Sequence, residues 1–176
     1  MRTYTNDELK EILASHAEWL NCSGGQQADL SNMNLSYADL SYSDLRYVNL
    51  SFTNLSYTDL RSADLTNANL TGAVLTGADL TGADLTGANL TGADLSYADL
   101  SYAILRDVIG NGVEVESLRA EPWHIVYTKD IVAIGCQQHS KSDWLGFTDD
   151  QISEMSPRAL EWWKEQKPKL IEMGIF

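Results

Sequence analysis

The sequence predicts a mainly β solenoid, preceded by one helix and followed by a small α+β domain. Leucine recurs at every fifth position from Leu30 to Leu105, sixteen times without a gap. A helix-capping signal and an amphipathic segment come before this run, and the composition changes abruptly after it. These three observations divide the chain into an N-terminal helix (1–27), a repeat (28–107) and a C-terminal domain (108–176).

The period of five matches neither the 3.6 residues of a helical turn nor the two-residue alternation of a flat strand. A chain that turns a corner every five residues would return each leucine to the same interior. The position two before each leucine is small, with alanine at eleven of the sixteen sites, and the position just before it is Asp nine times and Asn five times. Leucine and alanine therefore fill a narrow core, while Gly, Asn and Ser at the fifth position suit tight turns.

This pattern resembles the pentapeptide-repeat family, whose A-(D/N)-L-x-x motif appears here as ADLTG at Ala78–Gly82 and Ala83–Gly87. The resemblance covers about Ala28 to Asp107. It implies a right-handed quadrilateral β-helix with four pentapeptides per coil, and therefore about four coils. At an inter-strand spacing of roughly 4.8 Å, the rod would be about 19 Å tall. Both end coils would present open backbone edges that need covers.

The N-terminal segment predicts an amphipathic helix that covers the first coil. Thr5 and Glu8 form a capping-box signature, and Ser23-Gly24-Gly25 ends the helical pattern. The helix is expected from about Asn6 to Leu20. His16 is interpreted as a surface residue or a residue at the edge of this lid.

The C-terminal domain is expected to contain a β-hairpin and helices. His124–Tyr127 and Ile131–Gly135 read as its two strands. Thr148 opens a short helix, and Ser156-Pro157 opens another that is expected to end or kink before Pro168.

The stretch IGCQQHSKSDWLGFTDDQISEMSPRALEWW, residues 134–163, is similar to a C-terminal module of pentapeptide-repeat proteins from tailed bacteriophages. This resemblance implies a phage protein that acts inside a bacterial host. The opening residues lack a secretory signal, and no apolar run has the length of a membrane span. Two distant cysteines, Cys22 and Cys136, predict free thiols in a reducing cytoplasm.

No motif predicts catalysis, a cofactor or a metal site, so the protein is expected not to be an enzyme. The recurring TG pairs are explained by turns rather than by a phosphate-binding loop. Cys136 and His139 allow two alternatives: a zinc site together with His124, or a nucleophile and its base. Zinc needs three or four ligands and a nucleophile needs an oriented base, and no further residues complete either arrangement. A packed, structural Cys136 is preferred.

The net charge of −13 and the pI near 4.4 argue against direct binding to nucleic acid or to an anionic membrane. Residues twenty apart would stack in columns if each coil holds twenty residues. Seven of the nine carboxylates before the leucines then fall on two adjacent faces. One face carries Asp39, Asp59, Asp79 and Asp99, and its neighbour carries Asp44, Asp64 and Asp84.

These two acidic faces are the predicted partner-binding surface, because rows of carboxylates imitate the charge rows of duplex DNA for a basic partner. Family habit combined with solubility is the alternative explanation. The resemblance implies that several family members act in this way on DNA gyrase. In this chain the C-terminal domain, or tail, stands where that group is expected to have a short dimerising helix. This difference argues against gyrase as the target.

Aromatic residues supply a second set of candidate contacts. Tyr37 and Tyr57 are expected to stack, and Tyr97 lies near the end of the repeat. Aromatic ladders also stiffen corners, which is the simpler explanation. The tryptophans of the C-terminal domain are expected mainly to form its small core, and the alternative is an exposed patch that Trp123 or Trp163 could supply.

The leading hypothesis is a non-enzymatic, cytoplasmic, phage-borne protein that mimics DNA and inhibits a basic host DNA-binding, defence or topology protein. A second hypothesis is a binder that sequesters a nucleotide or other small ligand in a Trp- and Lys-lined pocket of the tail. A third is a virion-associated scaffold. A homo-oligomer remains compatible with all three.

Overall fold

The computed structural model describes residues 2–3, 5–120 and 122–176 of the chain. A short strand and one helix precede the repeat, and a four-stranded sheet with three helices follows it. The elements, in chain order, are β1 Arg2–Thr3, α1 Asn6–Leu20, β2 Met33–Asn34, β3 Glu116–Ala120, β4 Trp123–Tyr127, β5 Ile131–Ile134, β6 Gln137–Ser140, α2 Lys141–Gly146, α3 Asp149–Met155 and α4 Ala159–Glu172.

Each pentapeptide of the rod makes one hydrogen-bonded corner. The N–H two residues before a centre leucine donates to the carbonyl of the preceding one, as from Ala78 to Leu75 at 2.9 Å. The fifth position has positive φ, 68° at Gly82 and 62° at Tyr37. A hydrogen-bonded four-residue turn with positive φ at its third residue has the signature of a type II turn. Glycine adopts this conformation without strain, which explains why it recurs there.

Successive coils are joined by parallel bridges between residues twenty apart, such as Asp39 with Asp59 and Asp59 with Asp79. The Leu40 N–H donates to the Asp59 carbonyl at 2.8 Å, and the Asp59 N–H donates to the Ala38 carbonyl at 3.0 Å. Four pentapeptides therefore complete one turn of the solenoid. Among the centre leucines, only Leu100 is not buried.

Helix α1 begins and ends where the sequence predicts, with the Thr5–Glu8 capping box formed. Leu9 is buried in the same apolar cluster as the leucines of the rod, and Ile12 and Leu13 pack against that cluster. The interpretation of His16 as a surface or edge residue is wrong, because its exposed fraction is zero. The imidazole bonds to two backbone groups of the first coil, the Ala28 N–H and the Arg46 carbonyl.

The C-terminal sheet has the strand order β3-β4-β5-β6 and is antiparallel throughout. Successive residues of a strand point to opposite faces of the sheet, so each face of this sheet contributes to a different apolar core. Val126 and Ala133 join the apolar cluster of the rod. Ile125 and Val132 join the cluster formed with helices α2, α3 and α4. The sheet therefore lies between the rod and the helices.

The predicted hairpin is confirmed as β4 and β5, and the capping box at Thr148 is confirmed at the start of α3. The expected start of the last helix at Ser156-Pro157 and its expected end before Pro168 are wrong, whereas the alternative of a kink there stays a prediction. Helix α4 begins at Ala159 and continues through Pro168. Pro168 is exposed, and buried Trp163 and Leu170 hold the opposite side of the helix to the core. Packing therefore outweighs the loss of one exposed backbone hydrogen bond.

Candidate partner-binding surface

The two acidic faces are aligned as the periodicity requires. Parallel bridges connect Asp39, Asp59, Asp79 and Asp99 in one row, and Asp44, Asp64 and Asp84 in the neighbouring row. Each row runs up the rod with one carboxylate per coil. At an inter-strand spacing of about 4.8 Å, two rows carry one carboxylate per roughly 2.4 Å of axis. Duplex DNA carries one charge per about 1.7 Å, so the two densities are of the same order.

Local hydrogen bonds fix the carboxylates and favour their charged form. The Asp39 carboxylate accepts the Ser41 hydroxyl at 2.6 Å and the Ser41 N–H at 3.1 Å. These bonds hold the pKa of Asp39 below its ordinary value, and Ser101 lowers the pKa of Asp99 in the same way. Asn49 accepts the Ser51 N–H at 3.2 Å in the equivalent turn. Asparagine thus serves the same turn without a charge.

Two of the three arginines of the rod, Arg46 and Arg61, pair with these carboxylates and partly neutralise the faces. The Arg46 guanidinium is 2.7 Å from Asp44 and 3.6 Å from Asp64 of the next coil. Arg61 is 2.5 Å from Asp59 and 3.7 Å from Asp79. Both arginines occupy the position after a centre leucine, where the other repeats mostly have Ser or Thr. The sequence therefore contained the signal for these cross-coil pairs.

Because these pairs lie in the middle of the rows, the carboxylates without a described arginine partner lie towards the two ends of the rod. Asp84 and Asp99 have no basic side chain within salt-bridge distance among the residues whose side chains are described. Among the described residues, only Ser41 donates hydrogen bonds to the Asp39 carboxylate, and Arg61 acts on it at longer range. The strongest negative sites are therefore Asp39 at one end of the rows and Asp84 and Asp99 at the other.

Aromatic residues of the rod that are twenty positions apart stack on one another, as the aspartates do. The rings of Tyr37 and Tyr57 are nearly parallel, with centroids 5.3 Å apart. The rings of Phe52 and Tyr57 reach over Gly72 and Gly77 of the following coil, where an added Cβ would lie 2.5 Å and 2.6 Å from them. Tyr97 is 93% exposed. Gly72 and Gly77 thus leave space for the rings of the preceding coil.

The tail tryptophans mainly form a core. Trp163 is buried and contacts Trp144 and Phe176, so its proposed role as an exposed contact is wrong. Trp123 is partly exposed and meets Trp162 edge to face, with centroids 5.0 Å apart. Two of the three indole N–H groups on helices α2 and α4 are used internally, since Trp144 donates to Val132 and Trp162 to Ala120.

A cavity of about 40 Å³ lies between these tryptophans, and it has Cys136 and Gln137 but no lysine in its lining. A cavity of this size holds one or two water molecules. It therefore does not supply the Trp- and Lys-lined pocket that nucleotide sequestration requires. Cys136 is exposed, so the expectation of a packed cysteine is wrong.

Within the described residues, no three His, Cys, Asp or Glu side chains are grouped as metal ligands would be. His124 instead lies 3.6 Å from Asp107, and His139 meets the rings of Trp144 and Phe147 edge to face. None of the described helices has the length and apolar character needed to cross a membrane.

The family model of pentapeptide repeats matches residues 26–51, 43–82 and 73–109, in eight copies. Through this region the chain belongs to the pentapeptide-repeat family. The fold of this family is a right-handed β-helix, in agreement with the twenty-residue register of the bridges. The match ends at residue 109, so the resemblance of the tail to a phage module stays a prediction.

Three solved pentapeptide-repeat proteins illustrate the likeness. One from the thylakoid lumen of Arabidopsis thaliana is 33% identical, with a TM-score of 0.48, over 51% of this chain and 62% of that one. HetL of Nostoc sp. strain PCC 7120, involved in regulating heterocyst differentiation, is 40% identical, with a TM-score of 0.35, over 49% and 42%. A third, from Nostoc PCC 7120, is 31% identical, with a TM-score of 0.30, over 55% and 75%.

This chain therefore spans less than two thirds of the first two proteins. No curated protein has a significant match to it.

Proposed function

We propose that this pentapeptide-repeat protein is a non-enzymatic binding protein whose acidic faces engage a basic, DNA-binding protein and compete with DNA for it. The observation that carries the proposal is the aligned double row of carboxylates at a density near that of duplex DNA. Asparagine forms the same turn on the other two faces, so the turn alone does not require the negative charge of these rows. Since the Arg46 and Arg61 pairs weaken the middle of the rows, Asp39, Asp84 and Asp99 are the main contacts.

The wider setting of the proposal is a bacterial cytoplasm during phage infection, with a host DNA-binding, defence or topology factor as the partner. Its support is the resemblance of residues 134–163 to a phage module and the pair of unlinked, exposed cysteines. An inhibitor that occupies a DNA-binding groove would be released by competing DNA and by salt, because both act on the same ionic contacts.

The test begins with affinity purification from a bacterial lysate, followed by elution with duplex DNA. The double variant Asp39→Asn, Asp84→Asn removes one contact from each row while keeping the oxygen that accepts from Ser41 or Thr86. We expect at least tenfold weaker binding to the eluted protein. The matched control is Asp29→Asn, Asp94→Asn, which removes two charges from the other two faces.

The control variant is expected to bind within threefold of the wild type. Equal losses in the two variants would mean that net charge, rather than the two acidic faces, determines binding. Undiminished binding of the first variant would exclude the acidic rows as the contact. Failure of duplex DNA to elute the partner would exclude mimicry.

A further inference from the structure

The C-terminal edge of the rod lacks a following coil, and the chain itself supplies at least one of the two missing backbone partners on three of the four sides. On one side, the Ile109 N–H donates to the Ala88 carbonyl at 2.9 Å. On the next, the Asn111 side-chain amide donates to the Ala93 carbonyl at 3.0 Å, while the Leu95 N–H has no partner among the described residues.

The third side is closed by a side chain that imitates a peptide group. Gln138 of β6 donates its amide to the Ala103 carbonyl at 2.5 Å and accepts the Leu105 N–H at 2.9 Å. Within the rod, the backbone of Asp59 makes the same pair of bonds with Ala38 and Leu40. Gln138 therefore satisfies the edge as a residue of the next coil would.

The fourth side has no such substitute. The Ala98 carbonyl and the Leu100 N–H, which are equivalent to the groups that Gln138 satisfies, have no hydrogen-bond partner in the described part of the chain. Leu100 is also the single centre leucine that is not buried, and Ala98 beside it is only partly buried. An unpaired strand edge thus coincides with an opening in the apolar core.

This edge forms the floor of an open groove of about 850 Å³ between the last coil and the C-terminal sheet. Tyr97, Tyr127 and Ile131 provide apolar wall surface. Four carboxylates line the groove, against two amines. The carboxylates are Asp99, Glu114, Glu116 and Asp130, and the amines are Lys129 and Lys141. Lys129 lies 3.8 Å from Asp130, so the remaining field is negative.

The opposite end of the rod shows that its edges accept an extended segment. Strand β1 pairs in parallel with β2, joining Arg2 to Met33 and Thr3 to Asn34. An edge of the solenoid is thus extended by two residues that do not belong to the repeat. The C-terminal edge at Ala98–Leu100 offers the same backbone groups without such a segment.

We propose that this groove binds an extended segment of a partner protein that carries Lys or Arg side chains. The segment adds a strand to the edge, with its N–H groups donating to Ala98 and its carbonyls accepting from Leu100. One apolar side chain covers Leu100, and basic side chains face the carboxylates of the groove. This goes beyond the proposed function, because it shares only Asp99 with the acidic rows and does not require competition with DNA.

The test uses a fluorescent ten-residue peptide of alternating Lys and Val and the full-length protein. Two analogues keep every side chain but carry N-methyl groups on all Val amides or on all Lys amides. Alternate residues of a strand direct their N–H groups to opposite sides. One analogue should therefore bind at least tenfold more weakly than the parent, and the other within threefold.

The protein variant Leu100→Lys should also bind at least tenfold more weakly. Tyr102→Lys is its control, because it adds the same charge to the same coil outside the groove. Hydrogen exchange provides a readout on the unaltered protein. The Leu100 amide should exchange at least tenfold more slowly with the peptide bound, while the Leu85 amide, already bonded to Ile104, is unchanged.

Each opposing result would overturn the proposal. Equal binding of the parent and both analogues would indicate ionic attraction without strand pairing, and absence of binding at millimolar peptide would indicate no site. A wild-type dimer that Leu100→Lys converts to a monomer would show that a second copy of the chain occupies the groove. The variant Asp39→Asn, Asp84→Asn should bind the peptide normally, so failure of this proposal is distinguishable from failure of the acidic rows.

Discussion

At the scale of single residues, His16 shows how one side chain satisfies a backbone that the repeat leaves incomplete. The Ala28 N–H donates to Nδ1 at 3.1 Å, and Nε2 is 2.9 Å from the Arg46 carbonyl. Both bonds form only if Nδ1 is unprotonated and Nε2 carries the proton. Because His16 is fully buried, these two bonds replace water for both backbone groups.

His16→Ala should therefore lower the free energy of unfolding by about 2–4 kcal/mol, since two buried polar groups lose their partners. His16→Gln should lose less, because its amide offers one donor and one acceptor. Urea unfolding of both variants provides the measurement, with Lys10→Ala on the exposed side of α1 as the control. Equal losses for Ala and Gln would show that volume rather than hydrogen bonding is the contribution of His16.

Arg46 and Arg61 are residues whose role depends on the coil geometry. Their side chains connect carboxylates of successive coils, and the pKa of each arginine is raised chiefly by its hydrogen bond to Asp44 or Asp59. Arg61→Gln should therefore leave a more negative face. We expect binding of the basic partner to strengthen by roughly threefold at low salt and to be unchanged at high salt. Weaker binding would show that Arg61 itself contacts the partner.

At the scale of elements, the C-terminal sheet also covers part of the last coil, because Gln138 of β6 bonds to Ala103 and Leu105. Gln138→Leu should remove the bonds to Ala103 and Leu105 while keeping a similar volume. We expect a loss of about 1–3 kcal/mol in unfolding free energy, from two buried groups left unpaired. The more specific measurement is hydrogen exchange, in which the Leu105 amide should lose its protection and the Leu85 amide should keep it. Retained protection at Leu105 would contradict the role assigned to Gln138.

The sequence predicts elements well where the signal is local and periodic. The leucine period determined the rod and its acidic rows, and the Thr5 and Thr148 caps located two helix starts. Strand β6 was missed because its residues, QQHS, are polar, and its pairing with β5 and with the rod is set by tertiary contacts. The alternative of an exposed Trp163 is wrong, because sequence alone does not show which tryptophan is buried until the elements around it are placed.

At the scale of the whole molecule, the aligned carboxylates make stability depend on pH in two opposing ways. Mutual repulsion along a row destabilises the folded rod, as Asp59 acts on Asp39. Hydrogen bonds and arginine pairs favour ionised carboxylates in the folded state, as the lowered pKa values of Asp44, Asp59 and Asp99 show. The direction of these shifts means that the favourable contacts exceed the repulsion at these sites.

The sign of the pH dependence follows from this direction. The pKa of Asp59 in the folded state is below its ordinary value of 3.8, with the Arg61 hydrogen bond as the main cause. The unfolded chain therefore binds more protons between these two values, and stability rises with pH. The contribution of Asp59 is fully present above its unfolded pKa and is lost as the pH falls through its folded pKa.

Urea unfolding at a series of pH values from about 6 to 2.5 tests this prediction. The wild type should lose more unfolding free energy over this range than Asp59→Asn, because the variant lacks the titrating group. Arg61→Gln should also show a shallower dependence, since it removes the main cause of the shift while Asp59 remains. A steeper loss in either variant would mean that repulsion along the row, relieved by protonation, dominates the folded rod. In that case the acidic rows would be strained by their own charge, and partner binding would stabilise them.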